Sequence, residues 1–558
     1  MKEITKSDWI KYFPLASPRA EQENIINFVL NSFFVEDKDN VIVEAGTGQG
    51  KSAIAMTVAN YFADHSFDLD NLTKDPAIDY NVGTYVLTSQ KVLQDQYIKD
   101  FSSSPCNLLT LQSSTNFKCT GIPGNTCAVS MRIYAALNDR FPKGPRDHCR
   151  RNCPYKKAKQ EFIEAFNGTT NYAYFLAETM YAKKLVPRSL LVMDEAHGIE
   201  AQLSKFIEVK ITEKFCKNIL DLKWSTAKTV DEIYKWVSKK YEPAVKKRIS
   251  KLTQDLVDEN LDDQIKLTLS SQLELLDKHI CKIHRMIETW DPTNWIVNIS
   301  SDKTTSSFEF KPVDIAPWSY DMLFKNGQKK LFMSATILDH EYFKKSLGLD
   351  PQRTSSIFVD STFKPENKPL IYVPVGRMSY GKIDSTLSKM SAMIEELLDT
   401  HKTEKGLIHT INFKIAEYIA NTVKNKRLLV QTPGVDRMAL LNSHIESNEP
   451  TVLVAPSMLE GIDLRDDLSR FQIFCKVPYP PLGDEVVKRK MAKSDDYYPY
   501  TTAQSIIQAV GRSIRSQDDY AVTYFLDECF SDYFKKNKKY FPKSFLDAVI
   551  AVGGNRMI

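Results

Sequence analysis

Three observations predict an α/β protein built on two units of parallel, buried strands. Short apolar, β-branched runs alternate with helical periods in both halves of the chain. One run, in NVIVEAGTGQGKSAIAMTVANYF, passes through a glycine-rich turn directly into a helix. Beyond Leu347 the alternation resumes with KPLIYVPV, KGLIHT, KRLLVQT, TVLVAPS, RFQIFCKVP and AVTYFLD, the pattern of a second parallel sheet.

Composition agrees with a packed, core-forming chain. Its 558 residues are 42% hydrophobic and 26% charged, with 20 Gly and 25 Pro, which excludes fibrous and disordered classes. At roughly 150 residues per domain, about three or four domains are expected. Lys+Arg 74 against Asp+Glu 70 leaves +4, so any polyanion must be gripped by local basic stripes and not by a uniformly basic surface. MKEITKSDWIKYF has no signal-peptide pattern, and no run approaches the ~20 apolar residues that cross a bilayer. These features predict an intracellular protein, cytoplasmic or in the nucleoid or nucleus, with no membrane partner. Nine cysteines without a secretory signal argue against a disulfide framework.

In chain order, the first strand and its helix are followed by a strand in TYVLTSQ, near residues 84 to 90, and another in SLLVMDEAH, ending at His197. Residues 1–105 and 160–200 are therefore assigned to one α/β unit. Between them, residues 106–159 are rich in Cys, Ser, Asn, Gly and Arg without a clean period, and read as an insertion. Residues 201–290 show helical periodicity, with Leu273, Leu276, Ile280, Ile283 and Ile287 forming a core stripe of packed helices. Residues 291–340 return to strand-like alternation (WIVNIS, SSFEFK) and close the first unit on KKLFMSATI. Residues 341–558 form the second unit.

The chemistry concentrates at three places. Gly46, Thr47, Gly48, Gln49, Gly50, Lys51 and Ser52 lie between strand and helix. There, glycine backbone N–H groups approach phosphate oxygens, Lys51 reaches the β and γ phosphates, and Ser52 offers a hydroxyl to Mg²⁺. Ala45 stands where a first glycine is usual. Asp194-Glu195-Ala196-His197 ends an apolar strand: Asp194 is placed to hold Mg²⁺, Glu195 to polarise the attacking water, and His197 to couple the site across a cleft. In the second unit, QAVGRSIR presents Gln508, Arg512 and Arg515, with both arginines on one helical face, suited to stabilising the transferring γ phosphate. One ATP site with halves from two domains changes inter-domain geometry on hydrolysis.

The ordered set Arg19-Ala20-Glu21-Gln22, GTGQGKS, TSQKVLQDQ, DEAH, Ser334-Ala335-Thr336, Thr410, SMLEGID and QAVGRSIR resembles the motif series of superfamily 2 helicases. LQSSTNFKC, CPYKKAKQ, TNYAYFL and VPYPPLGDEVVKRK resemble, more narrowly, the XPD/DinG family of iron–sulfur helicases, from about Pro18 to Asp527. The resemblance implies two RecA-like P-loop motor domains, the first carrying a small iron–sulfur cluster insertion and an all-helical arch insertion. It implies an ATP-dependent DNA helicase moving 5′ to 3′ on single-stranded DNA, a monomeric motor acting on forked or tailed duplexes in repair, replication or recombination. It adds Arg19, Gln22, Glu460, Gly461 and Asp463 to the nucleotide site. TSQKVLQDQ in one motor domain, and TPGVDR and SMLEGID in the other, would grip the strand. The same motifs would also serve an ATP-switched single-strand clamp, or a helicase for RNA or RNA–DNA hybrids. The chain ends soon after the second unit, leaving the expectation of a minimal motor.

Cys119, Cys127, Cys149 and Cys153, spaced by 7, 21 and 3 residues, could hold Zn²⁺ or an iron–sulfur cluster, and spacing alone does not decide. The likeness of NFKC and CPY to the family's cluster ligands points to [4Fe–4S]. The other cysteines, Cys106, Cys216, Cys281, Cys475 and Cys529, read as structural. Lys118, Lys143, Arg146, Arg150, Arg151, Lys156 and Lys157, with the aromatic faces of Phe117 and Tyr155, make the insertion a candidate single-strand surface. Lys535, Lys536, Lys538, Lys539 and Lys543 read as a solvated helix end. Cys529 stands where the family would place an arginine after its final strand.

Overall fold

The computed structural model describes residues 2–121, 126–137, 147–149, 151–256, 262–301, 305–456, 464, 466–514 and 519–551. In chain order the strands are β1 (Asn40–Ala45), β2 (Asn81–Thr88), β3 (Leu109–Thr110), β4 (Asn167–Asn171), β5 (Arg188–Asp194), β6 (Val209–Thr212), β7 (Trp295–Ser301), β8 (Ser306–Pro312) and β9 (Gly327–Ser334). They continue as β10 (Thr354–Val359), β11 (Leu370–Gly376), β12 (Gly406–His409), β13 (Leu428–Val430), β14 (Val452–Ala455), β15 (Phe471–Phe474), β16 (Val522–Asp527) and β17 (Val549–Ala551).

Two seven-stranded sheets result, in the orders β10-β1-β9-β5-β2-β4-β3 and β13-β14-β12-β15-β16-β11-β17. Every pairing in both is parallel. Parallel sheets need both faces covered, and side chains alternate across each strand to meet that need. Ile42, Leu191 and Met193 face one core, while Val41, Val43, Leu190 and Val192 face the other. In the second sheet Ile473 and Tyr524 point into one core and their neighbours Phe474 and Phe525 into the opposite one.

The core that includes Ile42 is not confined to the first sheet. It runs through Cys127, Cys153 and Tyr155 of the first insertion and on to Leu276, Ile280 and Ile283 of the long helix Asp263–Glu288. Leu273 and Ile287 pack against its margin, so the helical stripe serves as a core. Both insertions are thereby built onto one side of the first lobe.

The strand pairings place three segments differently from the sequence expectation. WIVNIS and SSFEFK, assigned above to the first parallel unit, become β7 and β8 of a separate antiparallel sheet of order β6-β8-β7. The second insertion, expected as wholly helical over 201–290, thus carries β6 and draws in residues up to Pro312. The physical reason lies in strand character: β8 alternates half-buried and buried residues, as a one-sided antiparallel strand does, whereas β1, β5 and β9 are buried throughout. At the other boundary, β10 pairs with β1, so the first sheet extends to Val359, beyond residue 341. Among the described residues, no helix is long and apolar enough to cross a membrane.

Candidate active site

Register brings the predicted chemistry to one edge of the first sheet. Glu44, next to the last residue of β1, pairs with Ser334 at the end of β9, and Asp194, ending β5, pairs with Met333. The loops that follow all leave at the carboxyl edge, where ligands of parallel α/β sheets bind.

The glycine-rich loop is held by its neighbours before any ligand arrives. Gly48 and Gly50 have φ of 80° and 73°, a region that favours glycine. At Gly50, a Cβ would sit 2.3 Å from Gln22 Nε2. Arg19 Nη2 donates to the Gly48 carbonyl at 2.8 Å, and the Arg19 N–H donates to Gln22 Oε1 at 2.9 Å. Arg19 and Gln22 therefore clasp the outer side of the loop. Lys51 Nζ donates to the Ala45 carbonyl at 3.0 Å, and Ser52 lies in the first turn of the helix Lys51–Asp64 that the loop opens. On the linker side, the buried Gln49 donates through Nε2 to the Asp360 carbonyl and the Thr362 hydroxyl, both at 3.3 Å.

Asp194 is buried at the end of β5. Burial, reinforced by the adjacent Glu195 charge and partly offset by Lys51, pushes its carboxyl up to about 6. Its Oδ1 accepts the Glu195 N–H at 2.9 Å and its Oδ2 accepts the Tyr97 hydroxyl at 3.1 Å. Glu195 adopts φ 51°, a left-handed conformation rare for a non-glycine residue and a mark of functional constraint. His197 Nδ1 lies 3.3 Å from Glu195 Oε2 and 2.8 Å from the Ser334 hydroxyl. A buried carboxylate close enough to feel the charge of Lys51, at the sheet edge where a helix opens on Lys51 and Ser52, is donor chemistry that fits Mg²⁺ with a triphosphate.

The second lobe closes the site. Gln508 donates through Nε2 to the Thr336 hydroxyl at 3.0 Å, and Gln504, one turn earlier, donates to the Thr336 carbonyl at 2.8 Å. Gly46, Thr47, Glu195, His197, Gln508 and Arg512 line one crevice between the lobes. Residues of the loop and the acid box, Gln508 and Arg512 thus share this crevice, but the helix Tyr497–Val510 ends before Arg512, which is presented from a turn and not from the helical face expected of it. Glu460, Gly461, Asp463 and Arg515 lie outside the described residues. Gln504 and Tyr97 escaped sequence reasoning: each acts through a contact set by strand order or by the meeting of the lobes, and neither belongs to a recognisable spacing, whereas Tyr172 lies in TNYAYFL without its contact to Asp194 being evident there.

In the first insertion, Cys127 Sγ and Cys153 Sγ stand 3.5 Å apart, and Cys127 also feels Cys119 and Cys149. Burial and the Cys153 neighbour push the Cys127 thiol up to about 12. Four thiols are the donors that a thiophilic centre takes. Among the described residues, no group of three or more His, Cys, Asp or Glu is arranged to hold a metal ion. Tyr155 is a correction: it is buried, its hydroxyl 2.9 Å from that of Tyr174 and its ring edge-on to Phe117. It packs the insertion onto the lobe and offers no face to a base. Lys118, Arg151, Lys156 and Lys157 are exposed, while Lys143, Arg146 and Arg150 lie outside the described residues. Cys281, read as structural, is exposed.

Two parallel-sheet lobes that share one phosphate-binding crevice are the architecture of two-lobed P-loop motors. A family described as Helicase C-terminal domain matches residues 396–547, and one described as Type III restriction enzyme, res subunit, matches 15–226. A probable ATP-dependent helicase of Methanocaldococcus jannaschii is 21% identical, over 93% of each chain. The ATP-dependent DNA helicase YoaA of Escherichia coli is 20% identical over 93% of this chain and 92% of its own. DinG of Salmonella typhimurium is 22% identical over 66% of this chain and 65% of its own. A solved XPD helicase structure overlays with a TM-score of 0.60 at 17% identity, covering 96% of this chain and 100% of that one. Together these likenesses support an XPD/DinG-like superfamily 2 helicase.

Proposed function

We propose that this chain is an ATP-dependent DNA helicase that translocates 5′ to 3′ on single-stranded DNA and opens forked or tailed duplexes. The observation that carries the reading is the single crevice in which Glu195 of one lobe faces Gln508 and Arg512 of the other. Lys51, Ser52 and Asp194 hold Mg-ATP, Glu195 orients the attacking water, and Arg512, with Arg515, meets the charge that develops on the γ phosphate. Because Thr336 already touches Gln504 and Gln508, loss of that phosphate changes how the lobes meet.

Cys119, Cys127, Cys149 and Cys153 would hold a [4Fe–4S] cluster, which when bound would tie together the segments that carry them. The relatives named as DNA helicases support the substrate class, and the likeness to XPD and DinG supports the polarity. Strand displacement on 5′-tailed, 3′-tailed and blunt duplexes tests the proposal. Displacement of the 5′-tailed substrate alone is expected. ATP hydrolysis without displacement on any tail would instead identify a single-strand clamp, and stronger stimulation by poly-U than by poly-dT would identify an RNA enzyme.

A further inference from the structure

We infer that Tyr97 is a positioning residue that transmits strand binding to the metal-holding acid, through its hydrogen bond to Asp194. The inference rests on the reading of Asp194 as a ligand of Mg-ATP and of TSQKVLQDQ as a segment that grips the strand.

Tyr97 projects from the helix Lys91–Phe101, which follows β2 and contains most of the TSQKVLQDQ segment. The two sides of this helix differ. Lys91 and Val92 are exposed at its N-terminal end, and Lys91 Nζ donates to Asn116 Oδ1 at 3.0 Å, tying that end to the root of the first insertion. On the sheet side, the buried Gln94 donates to the Thr110 hydroxyl at 2.5 Å and to the Leu111 carbonyl at 3.0 Å. One turn further, the buried Tyr97 places its hydroxyl 3.1 Å from Asp194 Oδ2. About nine ångströms of helix, six residues at ~1.5 Å each, therefore join an exposed terminus to a carboxylate oxygen that a metal ion needs. Glu195 N–H occupies the other oxygen, so a shift of this helix acts on the remaining one. Tyr172 supplies an internal comparison: its hydroxyl donates at 3.0 Å to the Asp194 carbonyl and leaves the carboxylate untouched.

Reciprocal linkage gives a test that needs no turnover. The affinity of a fluorescent ADP analogue is titrated with and without saturating oligo-dT, in Mg²⁺ and in EDTA, for the wild-type chain, Tyr97→Phe and Tyr172→Phe, each checked by thermal melting. In wild type with Mg²⁺, oligo-dT is expected to shift nucleotide affinity by about tenfold, the scale of one hydrogen bond to a charged group. EDTA abolishes that shift, Tyr97→Phe brings it close to one, and Tyr172→Phe keeps it. A shift preserved in Tyr97→Phe, lost equally in both variants, absent from wild type or unchanged by EDTA overturns the inference. Failure of the wild-type chain to bind either oligo-dT or magnesium nucleotide would instead overturn the proposed function, and it is read on the unaltered protein. Should Tyr97→Phe melt early, its shift is read below the onset of melting, where the folded chain still binds the nucleotide.

Discussion

His197 Nδ1 stands 2.8 Å from the hydroxyl of Ser334, joining the acid box at the end of β5 to the end of β9. Two residues on, Thr336 meets Gln504 and Gln508 of the second lobe. With Glu195 Oε2 3.3 Å from His197 Nδ1 and the Thr336 N–H donating to the Ser334 hydroxyl at 3.1 Å, the path from Glu195 to the opposite lobe is continuous through polar contacts. Ser334→Ala breaks it without touching a phosphate-binding group. Its expected effect is to keep DNA-stimulated ATP hydrolysis within about threefold and to lower strand displacement by tenfold or more, about 1.4 kcal/mol of coupling. Parallel ATPase and displacement assays check it, and equal loss in both would place Ser334 in the chemistry itself.

Removal of the chemical groups separates binding from hydrolysis. Glu195→Gln keeps the shape of a side chain carried on backbone held at φ 51° and removes the carboxylate, so nucleotide binding persists while kcat falls by about 10²–10³-fold. Lys51→Ala weakens nucleotide binding as well. Steady-state ATPase with equilibrium nucleotide titration distinguishes the two, and wild-type turnover in Glu195→Gln would remove Glu195 from its role.

Arg188, at the start of β5, is nearly inaccessible, and among the described residues no carboxylate pairs with it. It donates to the backbone carbonyls of Thr84, Phe162, Ile163 and Phe166 and stacks at 4.1 Å on the ring of Tyr85. These contacts pin the end of the first insertion's last helix to the sheet. Arg188→Leu removes all four donations, and although the Phe166 carbonyl keeps the Thr84 N–H at 2.8 Å, the substitution is expected to destabilise the first lobe by about 3–5 kcal/mol. Arg188→Lys supplies one point of donation where the planar fork supplied four contacts, so it rescues little. Urea denaturation followed by tryptophan fluorescence is the measurement.

How far these features were legible in sequence depends on what fixes them. Lys51 and Asp194 are local: each follows an apolar strand at its carboxyl end, and strand periodicity reveals both. The antiparallel β7 and β8 were misplaced because a strand's apolar period does not say which sheet it joins, and the partner, β6, lies about 90 residues earlier in the chain. Tyr97 and Gln504 were invisible for the same reason. Their partners are set by strand order and by lobe contact, which no spacing along the chain encodes.

The second lobe carries a built-in acid sensitivity. His409 on β12 is wholly buried, with Nε2 2.8 Å from Gln472 Oε1, and burial, with Arg512 nearby, holds its imidazole down to about 4. His444, bonded at 2.8 Å to the Leu468 carbonyl and within 2.8 Å of the Thr451 hydroxyl, is likewise held down to about 4, chiefly by burial. Their unfolded counterparts titrate near 6.5, so between pH 6.5 and 4 the unfolded chain binds more protons than the folded one. Stability from both residues is then complete above about pH 6.5 and is lost as pH falls toward 4, at most about 3 kcal/mol for each. Gln472 Nε2 also donates at 3.1 Å to the Val510 carbonyl, just before Arg512, so protonation of His409 disturbs the turn that presents the arginine. Denaturation of wild type and His409→Gln from pH 7 to 4.5 checks this, with a pH slope smaller by about one proton expected in the variant. An unchanged slope would show that His409 is not the group that titrates.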